Sequence, residues 1–185
     1  MQFWGRPWVP LADGPLRAEF IESLDLLTKM NINYVSIHFN VQIGKGWGPN
    51  GVVFDRNTNV TLTDVQVYDL VALLKERGFI VNLKLGFWHP DPKFSMAGYM
   101  PNDVDLWFTN WGEELVHFAT LSEQAGVDAF DIAYEMSNLT TDQKYTAQWN
   151  TLIDGVEAVY SGQITANFLN PVEAQKAVFL NRLDT

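Results

Sequence analysis

The chain has 185 residues, 47% of them hydrophobic, enough for one domain with a sizeable core and too many for a disordered chain. Its 12 Lys and Arg stand against 22 Asp and Glu, a net charge of −10, which argues against nucleic acid and anionic membranes as partners. With no Cys there are no disulfides, zinc ribbons, iron–sulfur clusters or thiol nucleophiles. No apolar run approaches the ~18 residues of a spanning helix. The opening MQFWGRPWVPLADG lacks a basic and an apolar region, so no signal peptide is visible, and both cytoplasmic and secreted locations stay open. Seven Trp suit a large core, and also a site for ligands with flat apolar faces, sugars among them.

The elements are predicted in chain order. Gln2–Gly5 reads as a remnant of a strand. A helix is expected from Pro15 to Met30, with Pro at its start and Phe20, Leu24 and Leu27 on one face. The strand YVSIHFN (Tyr34–Asn40) follows, then a long loop rich in Gly, Asn and Pro from Gly44 to Asn59. Thr63 and Gln66 form a capping-box pattern that opens a helix ending before Gly78. FIVNLKLGF (Phe79–Phe87) is the next strand, and Trp88, His89, Pro90 and Pro92 mark a loop. Asp103 caps a long helix that stops at Gly126. AFDIAYE (Ala129–Glu135) is a strand, Asp142 to Tyr160 a helix, Gln163–Phe168 a strand, and Asn170-Pro171-x-Glu173 opens a last helix. NRLDT (Asn181–Thr185) looks like the lead-in to a further strand.

Alternating strands and helices argue for a parallel sheet of βα units, and no linker divides residues 1–185, which read as a single domain. Each strand has one apolar parity and one small or polar parity. Val81, Leu83, Leu85 and Phe87 oppose Asn82, Lys84, Gly86 and Trp88. Val35, Ile37 and Phe39 oppose Tyr34, Ser36, His38 and Asn40. Phe130, Ile132 and Tyr134 oppose Asp131, Ala133 and Glu135, and Ile164, Ala166 and Phe168 oppose Gln163, Thr165 and Asn167. An open sheet covered on both faces should show near-continuous apolar runs. A barrel instead puts one parity against outer helices and the other into its interior, with the site at the C-terminal rim. The fold class is therefore α/β, a TIM-type (β/α)8 barrel. At 185 residues it is expected to be partial, with strands one or two to five, since a whole barrel takes ~250 residues. An incomplete barrel exposes strand edges, so aggregation or association with another copy is expected.

Glu135 is the sharpest candidate for chemistry. It ends a strand at the rim, where glycoside hydrolysis needs a carboxylic acid to protonate the leaving oxygen. Lys84 and Asp131 share the inward parity of adjacent units and are expected to form a buried ion pair. His38, Asn40 and Asn167 occupy equivalent inward positions, where a structural hydrogen bond and a sugar contact are both open. Trp47 and Trp88 sit in loops after strands, placed to stack on sugars, whereas Trp107, Trp111 and Trp149 fall in helical patterns and read as core. The three His have no metal-ligand spacing, so no metal is inferred, and GxGxxG, GxxxxGK and GxSxG are all absent. The NxT matches at Asn59 and Asn138 matter only in a eukaryotic secreted protein.

The run DLWFTNWGEELVHFATLSEQAGVDAFDIAYEMSNLT, then YTAQWNTLIDGVEAVYSGQITAN, resembles the glycoside hydrolase family 113 β-mannanases. NINYVSIHFNVQI and LTDVQVYDLVALLKERGFIVNLKLGFWH look like that family's second and third βα units, and the similarity covers about Leu16 to Thr185. The resemblance implies a (β/α)8 barrel, a retaining mechanism, no required cofactor and β-1,4-linked mannan-type substrates. Through FDIAYE it gives Glu135 the place of the general acid/base. Substrate contacts are expected from His38, Asn40, Lys84, Trp88, His89 and Asn167, placed by strand parity and loop position. The family's nucleophile, a Glu at the end of strand seven, has no counterpart in these residues, because they stop before strand six. Two departures stand out: Tyr134 where a small residue is usual, and Leu85-Gly86-Phe87-Trp88-His89 where Lys-Pro-His is usual after the lysine. A non-catalytic carbohydrate-binding or interaction protein on a truncated barrel is the alternative reading.

Overall fold

The computed structural model describes residues 2–3, 15–58 and 60–184. Strand β1 (Gln2–Phe3) falls within the strand remnant predicted at Gln2–Gly5; Trp4 and Gly5 lie outside the described residues, as does Asn59. Helix α1 (Pro15–Lys29) buries Phe20, Leu24 and Leu27, as their spacing requires. Strand β2 (Tyr34–Ile43) runs three residues beyond its predicted end. The reason lies in the following segment, read from its Gly and Pro content as loop. It holds a two-residue strand, β3 (Phe54–Asp55), which pairs antiparallel with Gln42 and Ile43.

Helix α2 (Asp64–Glu76) opens on the predicted capping box: the Gln66 amide donates to Thr63 Oγ1 at 3.3 Å and the Thr63 amide to Gln66 Oε1 at 3.0 Å. Strand β4 (Ile80–Trp88) includes Trp88 and pairs parallel with β2 along its whole length. Helix α3 (Val104–Ala125) starts at the Asp103 cap and ends at Gly126, whose φ of 75° suits a residue without a Cβ. Strand β5 (Ala129–Tyr134) leads into one helical turn, α4 (Ser137–Thr140). The helix expected from Asp142 is a 3-10 turn at Gln143–Tyr145 followed by α5 (Thr146–Glu157). Strand β6 (Gln163–Asn167) and a short helix, α6 (Pro171–Lys176), follow.

The strands lie in the order β1-β2-β4-β5-β6, all parallel, with β3 alone antiparallel. This is one wall of a (β/α) barrel. The apolar parity packs outward beneath the helices: Leu83, Leu85 and Phe87 are fully buried, and Phe87 meets the rings of Phe54, Tyr99, Trp107 and Trp111 at centroid distances of 4.6–6.2 Å. Trp107, Trp111 and Trp149 are inaccessible, as helical core positions should be.

Two aspartates mark where strands begin. The Asp128 amide donates to the Val81 carbonyl at 2.9 Å, and its carboxylate accepts the Val81 amide at 2.7 Å. Asp184 treats Ile164 of β6 in the same way, with both contacts at 2.9 Å. The residue predicted as a lead-in therefore sits on the β6 edge as Asp128 sits on β4.

Candidate active site

Register places the polar parity in layers. Ser36 is level with Asn82, His38 with Lys84, Asn40 with Gly86, and Gln42 with Trp88. Lys84 is level with Asp131 and Asp131 with Thr165. The deeper layer is a buried polar network. Asp131 accepts from Thr165 Oγ1 at 3.0 Å and Asn82 Nδ2 at 3.5 Å, and Lys84 Nζ lies 3.7 Å from its Oδ2. Burial raises the Asp131 pKa against the opposing pull of Lys84, and burial lowers that of Lys84 against the pull of Asp131 and, further off, Glu135. The expected ion pair is present, almost wholly out of water.

A bulge breaks the parity of β5. Asp131 pairs with Thr165 but Tyr134 with Asn167, so β5 spends one residue more than β6 over this stretch. The extra residue turns Tyr134 from the apolar face to the concave one, a correction to the strict alternation read from the sequence. Its ring lies 4.3 Å from that of His38, and Lys84 Nζ stands 5.2 Å from its centre. Ile132, inside the bulge, has its carbonyl within 3.4 Å of the Trp111 indole N–H.

Glu135 follows the last residue of β5. Its φ is +50°, a left-handed conformation that costs a non-glycine residue about 1–2 kcal/mol. The neighbouring strand holds it there, since the Glu135 amide donates to the Asn167 carbonyl at 2.8 Å. Its side chain is half-buried.

His38 is 5% exposed, and burial, with the Lys84 ammonium pushing the same way, brings its pKa down to about 4. The fold thus holds a neutral imidazole, while the unfolded chain takes up a proton below about pH 6.5. Stability from this source is complete above pH 6.5 and is lost as pH falls towards 4, by roughly 3 kcal/mol. Urea midpoints from pH 7 to 4 should show this loss, and His38→Gln should flatten it; an unchanged slope in the variant would assign the loss to other groups.

Near the rim the wall is pared back at Gly86. A Cβ there would come within 2.6 Å of Asn40 Oδ1, 3.0 Å of His38 Nε2 and 3.3 Å of Met96 Cε, so only glycine leaves room for all three. Asn40 Oδ1 is enclosed and has no hydrogen-bond partner among the described residues. Asn40 and Asn167 are half-buried. Trp47 and Trp88 are 40% and 37% exposed. His89 has both ring nitrogens engaged: Nδ1 accepts the Asp91 amide at 3.1 Å, which leaves Nε2–H to donate to the Trp47 carbonyl at 3.0 Å. It ties the loop after β4 to the loop carrying Trp47. Among the described residues no three His, Asp or Glu side chains converge as a metal site would require.

Sequence reasoning expected His38, Asn40, Lys84, Asn167 and Glu135 on the concave side; register sets His38, Lys84, Asn40 and Asn167 on the parity of Asp131, and Glu135 follows the last residue of β5. Sequence reasoning missed Tyr134, because a bulge has no signal in an alternating pattern, and Met96, which comes from a loop.

A parallel wall of βα units with its polar parity turned inward and a carboxylate at the end of a strand is the framework of barrel glycosidases. The profile of Glycoside Hydrolase Family 113 matches residues 15–185, and the chain belongs to that family. No curated protein matches it. Among solved structures it is similar to a family 113 β-1,4-mannanase in a complex (21% identity, TM-score 0.76, 89% of this chain and 53% of that one). It is also similar to the family 113 β-mannanase of Alicyclobacillus acidocaldarius in complex with ManMIm (19%, 0.76, 88% and 52%). The Pseudomonas stutzeri endoglucanase Cel5A is more distant (12%, 0.53, 88% and 49%). The chain spans about half the length of these relatives.

Proposed function

We propose that these residues form the acid/base half of a retaining glycoside hydrolase acting on β-1,4-linked mannan-type polysaccharides or oligosaccharides. The observation that carries the reading is the backbone of Glu135. A carboxylate residue held in a left-handed conformation at a strand end, next to a bulge, is an arrangement the fold maintains at a cost, and such costs cluster at sites of chemistry. In the first step Glu135 gives its proton to the glycosidic oxygen as a second carboxylate attacks the anomeric carbon. In the second it takes a proton from the water that releases the sugar. That second carboxylate belongs, by family resemblance, to strand seven, outside these residues. Trp47 and Trp88 offer exposed rings at the rim for stacking on the sugar. Asn40 and Asn167 are half-buried polar side chains near the strand ends that could meet the sugar, and His89 acts by fixing the loop of Trp47. Lys84 and His38 support the site from below, through Asp131 and Tyr134.

The test uses these residues within a complete barrel and compares two leaving groups. Glu135→Gln should lower kcat/KM on mannotriose about 10²–10⁴-fold. It should change kcat/KM on 2,4-dinitrophenyl β-mannoside little, because that leaving group departs without a proton. Equal losses on both substrates would remove the acid role.

A further inference from the structure

Glu173 is a buried carboxylate, 4% exposed, with no Lys, Arg or His paired to it among the described residues. A charge so placed is costly unless hydrogen bonds replace its water. Its two oxygens are divided between two loops. Oε2 accepts the Leu169 amide at 2.6 Å, in the segment just after β6, and Oε1 accepts at 3.1 Å from the Thr140 hydroxyl, which is shared with the Met136 carbonyl at 3.2 Å, in the turn just after Glu135. The Glu173 amide is itself held by Asn170 Oδ1 at 3.0 Å, and the Val178 amide donates to the Thr140 carbonyl at 2.9 Å. The strands these loops leave are joined by the bond from the Glu135 amide to the Asn167 carbonyl. The contacts close a ring: Glu135, α4 to Thr140, Glu173, Leu169, Asn167 and back to Glu135.

We propose that Glu173, acting through Thr140, is a positioning residue for Glu135. The ring denies the Glu135 backbone the room to relax from φ +50° into an extended conformation, which would turn its carboxylate away from its present direction. An apolar residue on α6 would pack against the turn, but it could not hold a hydroxyl and an amide from two loops at once. The role rests on the reading of Glu135 as the acid/base.

The experiment uses the 185-residue chain and needs no sugar. Amide hydrogen exchange is followed by NMR at Glu135, with Leu83 and Leu85 in the middle of β4 as internal references. Thr140→Val keeps the shape of the side chain and removes the hydroxyl, Thr140→Ser restores it, and Glu173→Gln weakens one of the two acceptor contacts. Thr140→Val and Glu173→Gln should each speed exchange at Glu135 by about tenfold or more, with the β4 references within about twofold of the parent chain. Thr140→Ser should return the Glu135 rate to near the parent value. The carboxyl ¹³C resonance of Glu135 should follow the same pattern, displaced in Thr140→Val and restored in Thr140→Ser. Unchanged exchange at Glu135, or acceleration shared equally with Leu83 and Leu85, would overturn the proposal, the second because it reports general loosening. Either result leaves the leaving-group test of Glu135 standing. A failed leaving-group test, conversely, would remove the acid and leave the ring as a structural clasp.

Discussion

Mannotriose incubated with the 185-residue chain alone should stay intact, while the same residues continued through a complete barrel should cleave it. The two rates should differ at least ~10⁶-fold, the low end of enzymic acceleration. Retaining hydrolysis needs two carboxyl groups roughly 5–5.5 Å apart across the glycosidic bond. Beside Glu135 the parallel strands offer, among the described residues, only Asp131, which is 2% exposed and has its oxygens committed to Thr165, Asn82 and Lys84. It cannot reach an anomeric carbon from there. Product analysis by anion-exchange chromatography decides the matter. Hydrolysis by the short chain that Glu135→Gln abolishes would mean that a second carboxylate within these residues had been overlooked.

Asp131→Asn should lower the unfolding free energy by about 3–5 kcal/mol, because it leaves the Lys84 ammonium buried without its counter-charge. Against the 5–15 kcal/mol of a typical domain, that loss is large enough to reduce soluble yield. The double variant Lys84→Met with Asp131→Leu should be closer to the parent than Asp131→Asn, since neither charge then remains in the core. Urea unfolding monitored by tryptophan fluorescence measures both. A loss below about 1 kcal/mol for Asp131→Asn would mean that Lys84 finds water or another partner.

The barrel class was legible because an inward parity of Ser36, His38 and Asn40, or of Asn82, Lys84 and Gly86, cannot lie under a layer of helices. That one alternation gave both the fold and the ion pair. It failed at Tyr134, where an inserted residue exchanges the faces and nothing in AFDIAYE announces the insertion. The short strand at Phe54–Asp55 was hidden in turn-forming residues, since its pairing depends on β2 running on to Ile43. His89 has the composition of a ligand contact, yet its two nitrogens are engaged by Asp91 and Trp47, a fact of loop packing that spacing does not encode. Glu173 was visible only as part of a helix start; its place between two loops needs the third dimension.

The aspartates at the feet of the strands act as register stops. In a parallel sheet a slip of one residue keeps every kind of backbone bond while turning each side chain to the opposite face. For β5 such a slip would throw Asp131 among the helices and bring Phe130 against Lys84. Asp128 grips Val81 by both main chain and carboxylate, so a displaced β5 would have to give up two bonds at its first step. Asp184 repeats the grip on Ile164, and a strand continuing from it would lie on β6 with its inward and outward residues already sorted.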